Sequence, residues 1–177
     1  MDSRAKFSRL YRHQVEKIYR FIFFKVESKE TAEDLTSEVF RKTWIIYQAG
    51  FDSASEQEKL KNPRAFLYRV AKNTVIDYYR RRPKQSPLSD EELEIADLSQ
   101  NQEEDQDLEL DLARIKKALT GLKGEYQDIL IQYYLNNLSL REITKDSGQS
   151  LSAAKTTLHR AREALKKASE KPSLPTK

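Results

Sequence analysis

Residues Leu138–Glu163 read LSLREITKDSGQSLSAAKTTLHRARE. Ser139 followed by Glu142 is a capping box, which satisfies the first free amides of a helix reciprocally. It opens a short helix, SLREITK. Asp146–Gln149 is a tight connection in which Gly148 can adopt positive φ. Ser150 then caps a longer helix, LSAAKTTLHRAREALKKA. On that helix Ala154, Leu158, Ala161 and Leu165 recur at spacings of four, three and four, so they share one face. Small residues there permit close docking across the preceding helix. A short helix, a Gly-containing turn and a longer basic helix are the outline of a helix-turn-helix. The N-terminal half of such a second helix can enter a DNA major groove. Its later Arg and Lys suit phosphates.

Outward from this module, DLELDLARIKKALT (Asp107–Thr120) reads as an amphipathic helix, with Leu108, Leu112, Ile115 and Leu119 inward. Gly121 or Gly124 breaks it. Glu125 to about Leu135 forms another helix, and Asn136–Asn137 is a turn signal.

Upstream, Asp2 to about Val26 carries Phe7, Tyr11, Val15, Ile18 and Ile22 at helical spacing. Thr31 followed by Asp34 resembles a capping box and predicts a helix to about Tyr47. Leu35 and Val39 form one ridge on it, and Phe40, Trp44 and Tyr47 a second. Residues 48–62 read as a loop. Asn62–Pro63 then gives a cap followed by proline at the first helical position. The helix from Arg64 to Arg82 buries Leu67, Val70, Ala71, Thr74, Val75 and Tyr78. Arg69, Asn73 and Arg80 fall on another face.

Charge organises the chain further. Residues 1–83 carry net +7, residues 84–110 net −9, and residues 111–177 net +6. Basic blocks of this kind suit polyanions. The acidic segment holds Pro83 and Pro87 and is rich in Ser, Asn, Gln and Asp, so it reads as a linker. The expectation is an all-α chain: two small helical domains joined by an acidic linker, the C-terminal one a helix-turn-helix. The domains are 1–82 and 107–170, the linker 83–106, and the tail 171–177.

Hydrophobic residues are 38% of the 177 and charged residues 34%. That suits small cores under large solvated surfaces. Cys is absent, which excludes disulfides and Cys nucleophiles. The two histidines, His13 and His159, are far apart in sequence, so no metal site is expected. No nucleotide-binding Gly loop or nucleophile constellation is visible, and no catalytic residue or cofactor is expected. The longest apolar cluster near the start, Phe21–Phe24, is far short of the roughly 18 residues of a membrane span, so no direct membrane insertion is expected. The charged first residues do not resemble a signal peptide. The cytoplasm is the expected compartment.

Three runs together resemble a known family. TAEDLTSEVFRKTW (Thr31–Trp44) resembles the core-polymerase-binding helix of bacterial sigma factors. NPRAFLYRVAKNTVIDYYRRR (Asn62–Arg82) resembles the following helix, which faces the promoter −10 element. Leu138–Glu163 resembles the −35-binding helix-turn-helix. Their order is that of the family. Their separation is that of the extracytoplasmic-function (ECF, group 4) type, which lacks the large middle domain of primary sigma factors. The resemblance implies a dissociable subunit that binds core RNA polymerase, mainly the clamp helices of its largest subunit. It would direct promoter recognition, −10 melting and transcription initiation. It implies core-polymerase-binding roles for Asp34, Leu35, Glu38, Val39 and Arg41. It implies −10 DNA roles for Arg69, Asn73, Asp77 and Arg80, with residues 48–62 matching a loop that captures an unstacked base. It implies −35 DNA roles for Ser152, Ala153, Lys155, Thr156 and Arg160, with Arg162 and Lys166 as further phosphate candidates. It also implies an anti-sigma protein as regulator. The chain departs from the usual pattern at Ile143–Thr144, at Ala153–Ala154 and at Thr157. Two other readings are an autonomous helix-turn-helix regulator binding duplex DNA without core polymerase, and a helical adaptor binding only protein.

Overall fold

The computed structural model describes residues 3–48, 62–81 and 103–170, and every regular element among them is helical. They form two compact units. Residues 49–61 of the loop expected at 48–62, most of the acidic linker, and the tail lie outside the described residues.

The first unit is three mutually packed helices: α1 (Ser3–Phe23), α2 (Lys29–Gln48) and α3 (Pro63–Arg81). Ile18, Phe21 and Ile22 of α1, Val39 and Thr43 of α2 and Leu67 of α3 are fully or almost fully buried. Close rings extend this core along α1 and α2. Phe7 lies 4.9 Å from Trp44 and 5.6 Å from Tyr47, and Tyr11 lies 4.8 Å from Phe40, centroid to centroid. Phe21 meets Tyr68 of α3 edge-on at 5.3 Å. Such pairings favour tilted and edge-on geometry because the ring face is negative and the rim positive.

The α2 start differs from the sequence expectation. The cap is Ser28, not Thr31. Ser28 Oγ accepts the Thr31 amide at 3.1 Å and donates to Thr31 Oγ1 at 3.0 Å. Thr31 sits inside the first turn, where its own amide needs an acceptor, so it cannot be the residue that supplies one. At α3 the expectation holds. Asn62 Oδ1 accepts the Ala65 amide at 3.1 Å, with Pro63 at the first position.

The second unit contains α4 (Glu103–Thr120), α5 (Gly124–Leu130) continued by a π turn (Ile131–Leu135), most of α6 (Leu140–Ser147) and α7 (Leu151–Glu170). α5 is the main partner of α7, and α4 also packs against it. The π turn was not foreseen. Its closing bond runs from the Asn136 amide to the Ile131 carbonyl at 3.0 Å, five residues back. Asn137 then takes φ of 52° and the Leu138 amide bonds to the Gln132 carbonyl at 3.0 Å. This left-handed helix ending, whose last amide reaches six residues back, is one that Asn tolerates.

α4 corrects two expectations. It begins at Glu103 rather than Asp107, and Leu112 and Ile115 are exposed. Of the inward stripe, Leu119 is buried, and the Leu108 side chain lies outside the described residues. Periodicity marks a face able to be buried, but burial requires a partner along its whole length.

Candidate nucleic-acid and protein interfaces

α7 presents its two sides as the spacing predicts. Ala154, Leu158 and Ala161 are buried at 0, 4 and 0% exposure. Ser152, Ala153, Lys155, Thr156 and Arg160 are all exposed. The helix is set by Ser150, whose Oγ accepts the Ala153 amide at 3.1 Å. α6 is set by the capping box: Glu142 Oε2 accepts the Ser139 amide at 2.9 Å, and Ser139 Oγ accepts the Glu142 amide at 3.3 Å. Gly148 takes φ of 74° in the turn between them. A side chain there would be strained, which explains glycine at that position. Thr156 Oγ1 donates to the Ser152 carbonyl at 3.1 Å. Its hydroxyl proton is used within the helix, leaving a methyl group and acceptor lone pairs outward.

Arg162 is placed differently from its sequence reading as a phosphate candidate. Its Nε donates to Tyr134 Oη at 2.6 Å, and its guanidinium lies 5.5 Å from the Tyr134 ring and 5.8 Å from the Tyr133 ring. It clasps α7 to the π turn. Exposed cation–π contacts of this kind contribute about 0.5–1 kcal/mol.

On α3, Arg69, Asn73 and Arg80 are exposed and Asp77 is half-buried. Asp77 Oδ1 lies 3.7 Å from Arg80 Nη1, an ion pair across one turn. The same side exposes Ile76, at 44%, and Tyr79, 43% exposed, flanks it toward the turn between α1 and α2. Cations interleaved with an apolar and an aromatic side chain suit unpaired bases, which stack while phosphates meet charge. Tyr79 Oη donates to the Lys25 carbonyl at 2.6 Å, and Tyr78 Oη donates to Glu27 Oε2 at 3.2 Å. These bonds fix the end of α3 against the turn between α1 and α2.

On α2 the five expected residues separate. Asp34 and Arg41 are exposed and Glu38 is half-buried. Leu35 and Val39 are buried at 7 and 0%, inside the unit's own core. They position the outer face rather than forming it. Ile45, 51% exposed, extends that face one turn beyond Arg41. Lys42 follows Glu38 by one helical turn. Its Nζ pairs with Glu38 Oε1 at 2.7 Å and donates to Thr74 Oγ1 of α3 at 3.4 Å. The Lys42 hydrogen bond is the main cause of a Glu38 carboxyl titrating below its ordinary value. Burial opposes the shift, and the charges of Lys42, Arg81 and Arg41 add to it.

No group of acidic, His or Cys side chains among the described residues is arranged to hold a metal ion. No described helix is long and apolar enough to cross a membrane.

Comparison with known proteins places these faces in a lineage. Residues 10–85 match the model of sigma-70 region 2, and residues 112–165 match that of sigma-70 region 4. The chain is 31% identical over 161 residues to the ECF RNA polymerase sigma factor SigM of Bacillus subtilis, covering 89% of this chain and 91% of that protein. It is 32% identical over 177 residues to the RNA polymerase sigma factor YlaC of the same organism, covering 94% of each. Among solved structures, CnrH in complex with the cytosolic domain of CnrY superposes with a TM-score of 0.62 at 20% identity, covering 94% of this chain and 88% of CnrH. RpoE from Bartonella quintana, in complex with the anti-sigma factor NepR, gives 0.60 at 18% identity, covering 92% and 96%. These two likenesses establish the helical fold. The chain belongs to the sigma-70 family. Within it, the chain is a sigma factor of the ECF type.

Proposed function

We propose that this sigma factor joins core RNA polymerase through the outer face of α2, with Asp34, Glu38 and Arg41 as contacts and Leu35 and Val39 as the packing beneath them. Ile45 continues that face. Arg69, Asn73, Asp77 and Arg80 of α3 face the −10 element. Ser152, Ala153, Lys155, Thr156 and Arg160 of α7 face the −35 element. The single observation that carries this reading is the division of α7: the five DNA candidates are all exposed, while Ala154, Leu158 and Ala161 are buried.

The division of labour follows from the chemistry. α7 offers short side chains, a lysine and an arginine to a duplex groove. α3 offers cations beside Ile76 and Tyr79, which suit a strand whose bases are unstacked. Holding flipped bases offsets an unstacking cost of a few kcal/mol and traps local melting. Two modest DNA interfaces on one chain gain from effective concentration, with the acidic linker ahead of α4 as the tether between the domains. The polymerase performs the chemistry, so the chain supplies no catalytic residue. Its place of action is the cytoplasm. The solved relatives in complex with CnrY and with the anti-sigma factor NepR support an anti-sigma protein as the regulator here too.

Reconstitution with core RNA polymerase of the same cell, followed by transcript-start mapping, tests the reading. Initiation at defined promoters that requires this chain is expected. Tight, specific duplex binding by the free chain without core association would instead establish an autonomous regulator. Asp34→Ala with Arg41→Ala should weaken core association at least about tenfold, corresponding to roughly 1.4 kcal/mol, while helicity stays unchanged. Undiminished competition for core by that double variant would refute the assignment of α2.

A further inference from the structure

α1 carries a charged surface that none of the roles above uses. At 100° per residue, Phe7, Ile18 and Ile22 point toward the core of the first unit. On the opposite side, Lys6, Arg9, Arg12, His13, Lys17 and Arg20 fall within one arc of about 140°. Glu16 is the one acidic side chain on it. Lys6, Arg9, Arg12 and His13 are exposed, and Lys17 and Arg20 are half-buried. Among the described residues, the side chains of Lys6, Arg9 and Arg12 have no ion-pair or hydrogen-bond partner. From Lys6 to Arg20 the row runs about 21 Å at 1.5 Å per residue. At about 3.4 Å per phosphate along one strand, that is the length of about six phosphates.

We infer that this row is a third DNA contact, which binds backbone phosphates of promoter DNA without reading sequence. The inference rests on the chain's being a promoter-binding subunit. Two observations favour DNA over an acidic protein as the occupant. First, between Lys6 and Arg20 the arc holds no aromatic or aliphatic side chain, Ala5 and Phe23 sharing its angle only beyond the two ends of the row, whereas protein interfaces draw their affinity from buried aromatic and apolar anchors. Second, the row ends at Arg20, shortly before the turn that meets the DNA-facing end of α3. The turn that follows α1 is bonded to that end through Tyr79 and Lys25, and Arg80 and Arg81 are exposed there. Phosphates leaving the α3 face would meet the α1 row next.

Contacts with phosphates release counterions, so each one adds about 0.9 to the slope of log affinity against log salt on duplex DNA and about 0.7 on a single strand. The test uses polymerase holoenzyme assembled from this chain and core, bound to a promoter fragment across a salt series. Arg9→Gln with Arg12→Gln should make the slope shallower by about 1–2 and weaken binding. Gln is a good helix former, so α1 should keep its helicity. Lys117→Gln with Lys123→Gln, an equal change of charge at exposed positions of the second unit, should leave the slope nearly as it was. Glu16→Gln should tighten binding. A slope for the Arg9/Arg12 variant equal to that of the wild type, or to that of the Lys117/Lys123 control, overturns the inference. So does weaker assembly with core at an unchanged slope, which would make the row a protein contact. A wild-type chain that neither joins core nor supports initiation would sink the sigma-factor assignments instead, and is told apart by that.

Discussion

The two units solve the same problem with different materials. The first fills its centre with large side chains: Ile18, Phe21, Ile22, Val26, Val39 and Leu67 are essentially inaccessible, and aromatic pairs continue the packing outward. In the second, Ile131 is the one large side chain buried to that degree among the described residues, and α7 meets its neighbours through Ala154 and Ala161. The first unit is held by buried volume. The second adds close helix approach, caps and a surface clasp to buried aliphatic side chains, among them Leu119, Ile129, Leu130, Ile131, Ile143 and Leu158. A binding face built on a deep core tolerates acidic and basic side chains on its outside. A reading helix that rests on alanines depends on the spacing they permit.

The largest test of this contrast is Leu67→Ala. The residue is fully buried, so removing its side chain should cost about 2–5 kcal/mol through lost burial and the cavity left behind. Trp44 is the single tryptophan and lies in the first unit. Its fluorescence in a urea titration should therefore report the loss directly. A change below about 1 kcal/mol would mean that the core collapses around the gap, and the contrast in packing would lose its force.

The converse substitution is Ala154→Leu. Extra methylenes at a fully buried alanine should cost about 1–3 kcal/mol by forcing α7 away from its neighbours. The expected signature is loss of helicity by circular dichroism with an unchanged Trp44 transition. If Trp44 shifts as well, the two units do not unfold separately and the comparison needs recasting.

How far the sequence reached follows the same division. Ala154, Leu158 and Ala161 were legible because a helical period encodes a face, and all three are buried. The Ser139–Glu142 box was legible because its partners are three residues apart. The α2 cap was misread because Ser28 and Thr31 are both good capping residues, and only the amide geometry separates them. Leu112 and Ile115 were misread because a period does not say whether a partner is present. Lys42 with Thr74 and Arg162 with Tyr134 join residues 32 and 28 positions apart, and nothing local in the chain pairs them. The exposure of the expected −35 contacts on α7 could be anticipated. The burial of Leu35 and Val39 beneath the α2 face could be anticipated as well, because they form an apolar ridge at helical spacing.

A smaller effect tests whether caps matter as local geometry implies. Ser28→Ala should lower the stability of the first unit by about 1 kcal/mol, because the Thr31 amide loses its acceptor. Thr31→Ala should cost less than half of that, since only its hydroxyl contact with Ser28 is lost. The two Trp44 urea midpoints compared side by side give the answer. A reversed order would restore Thr31 as the cap.

The smallest expected effect lies at Glu38, where the interface and the fold meet. Its carboxyl is hydrogen-bonded by Lys42, which lowers its pKa in the folded chain. A carboxyl depressed on folding binds fewer protons in the native state than in the unfolded one. Its stabilisation is therefore fully present above the unfolded value of about 4.3 and is lost as pH falls through the folded value. The pair is partly solvated and spans one helical turn, so the contribution should stay below about 1 kcal/mol. Glu38→Gln should lower the first unit's stability at neutral pH by that amount, and its curve should converge with that of the wild type as pH falls below about 4.3. If Glu38 also touches polymerase, the same variant weakens core association at pH 7 by more than its loss of stability, which stays below about 1 kcal/mol there. Core binding and unfolding measured on one preparation thus separate its two roles: a loss of binding beyond the loss of stability belongs to the contact, and a parallel loss of both belongs to the Lys42 bridge between α2 and α3.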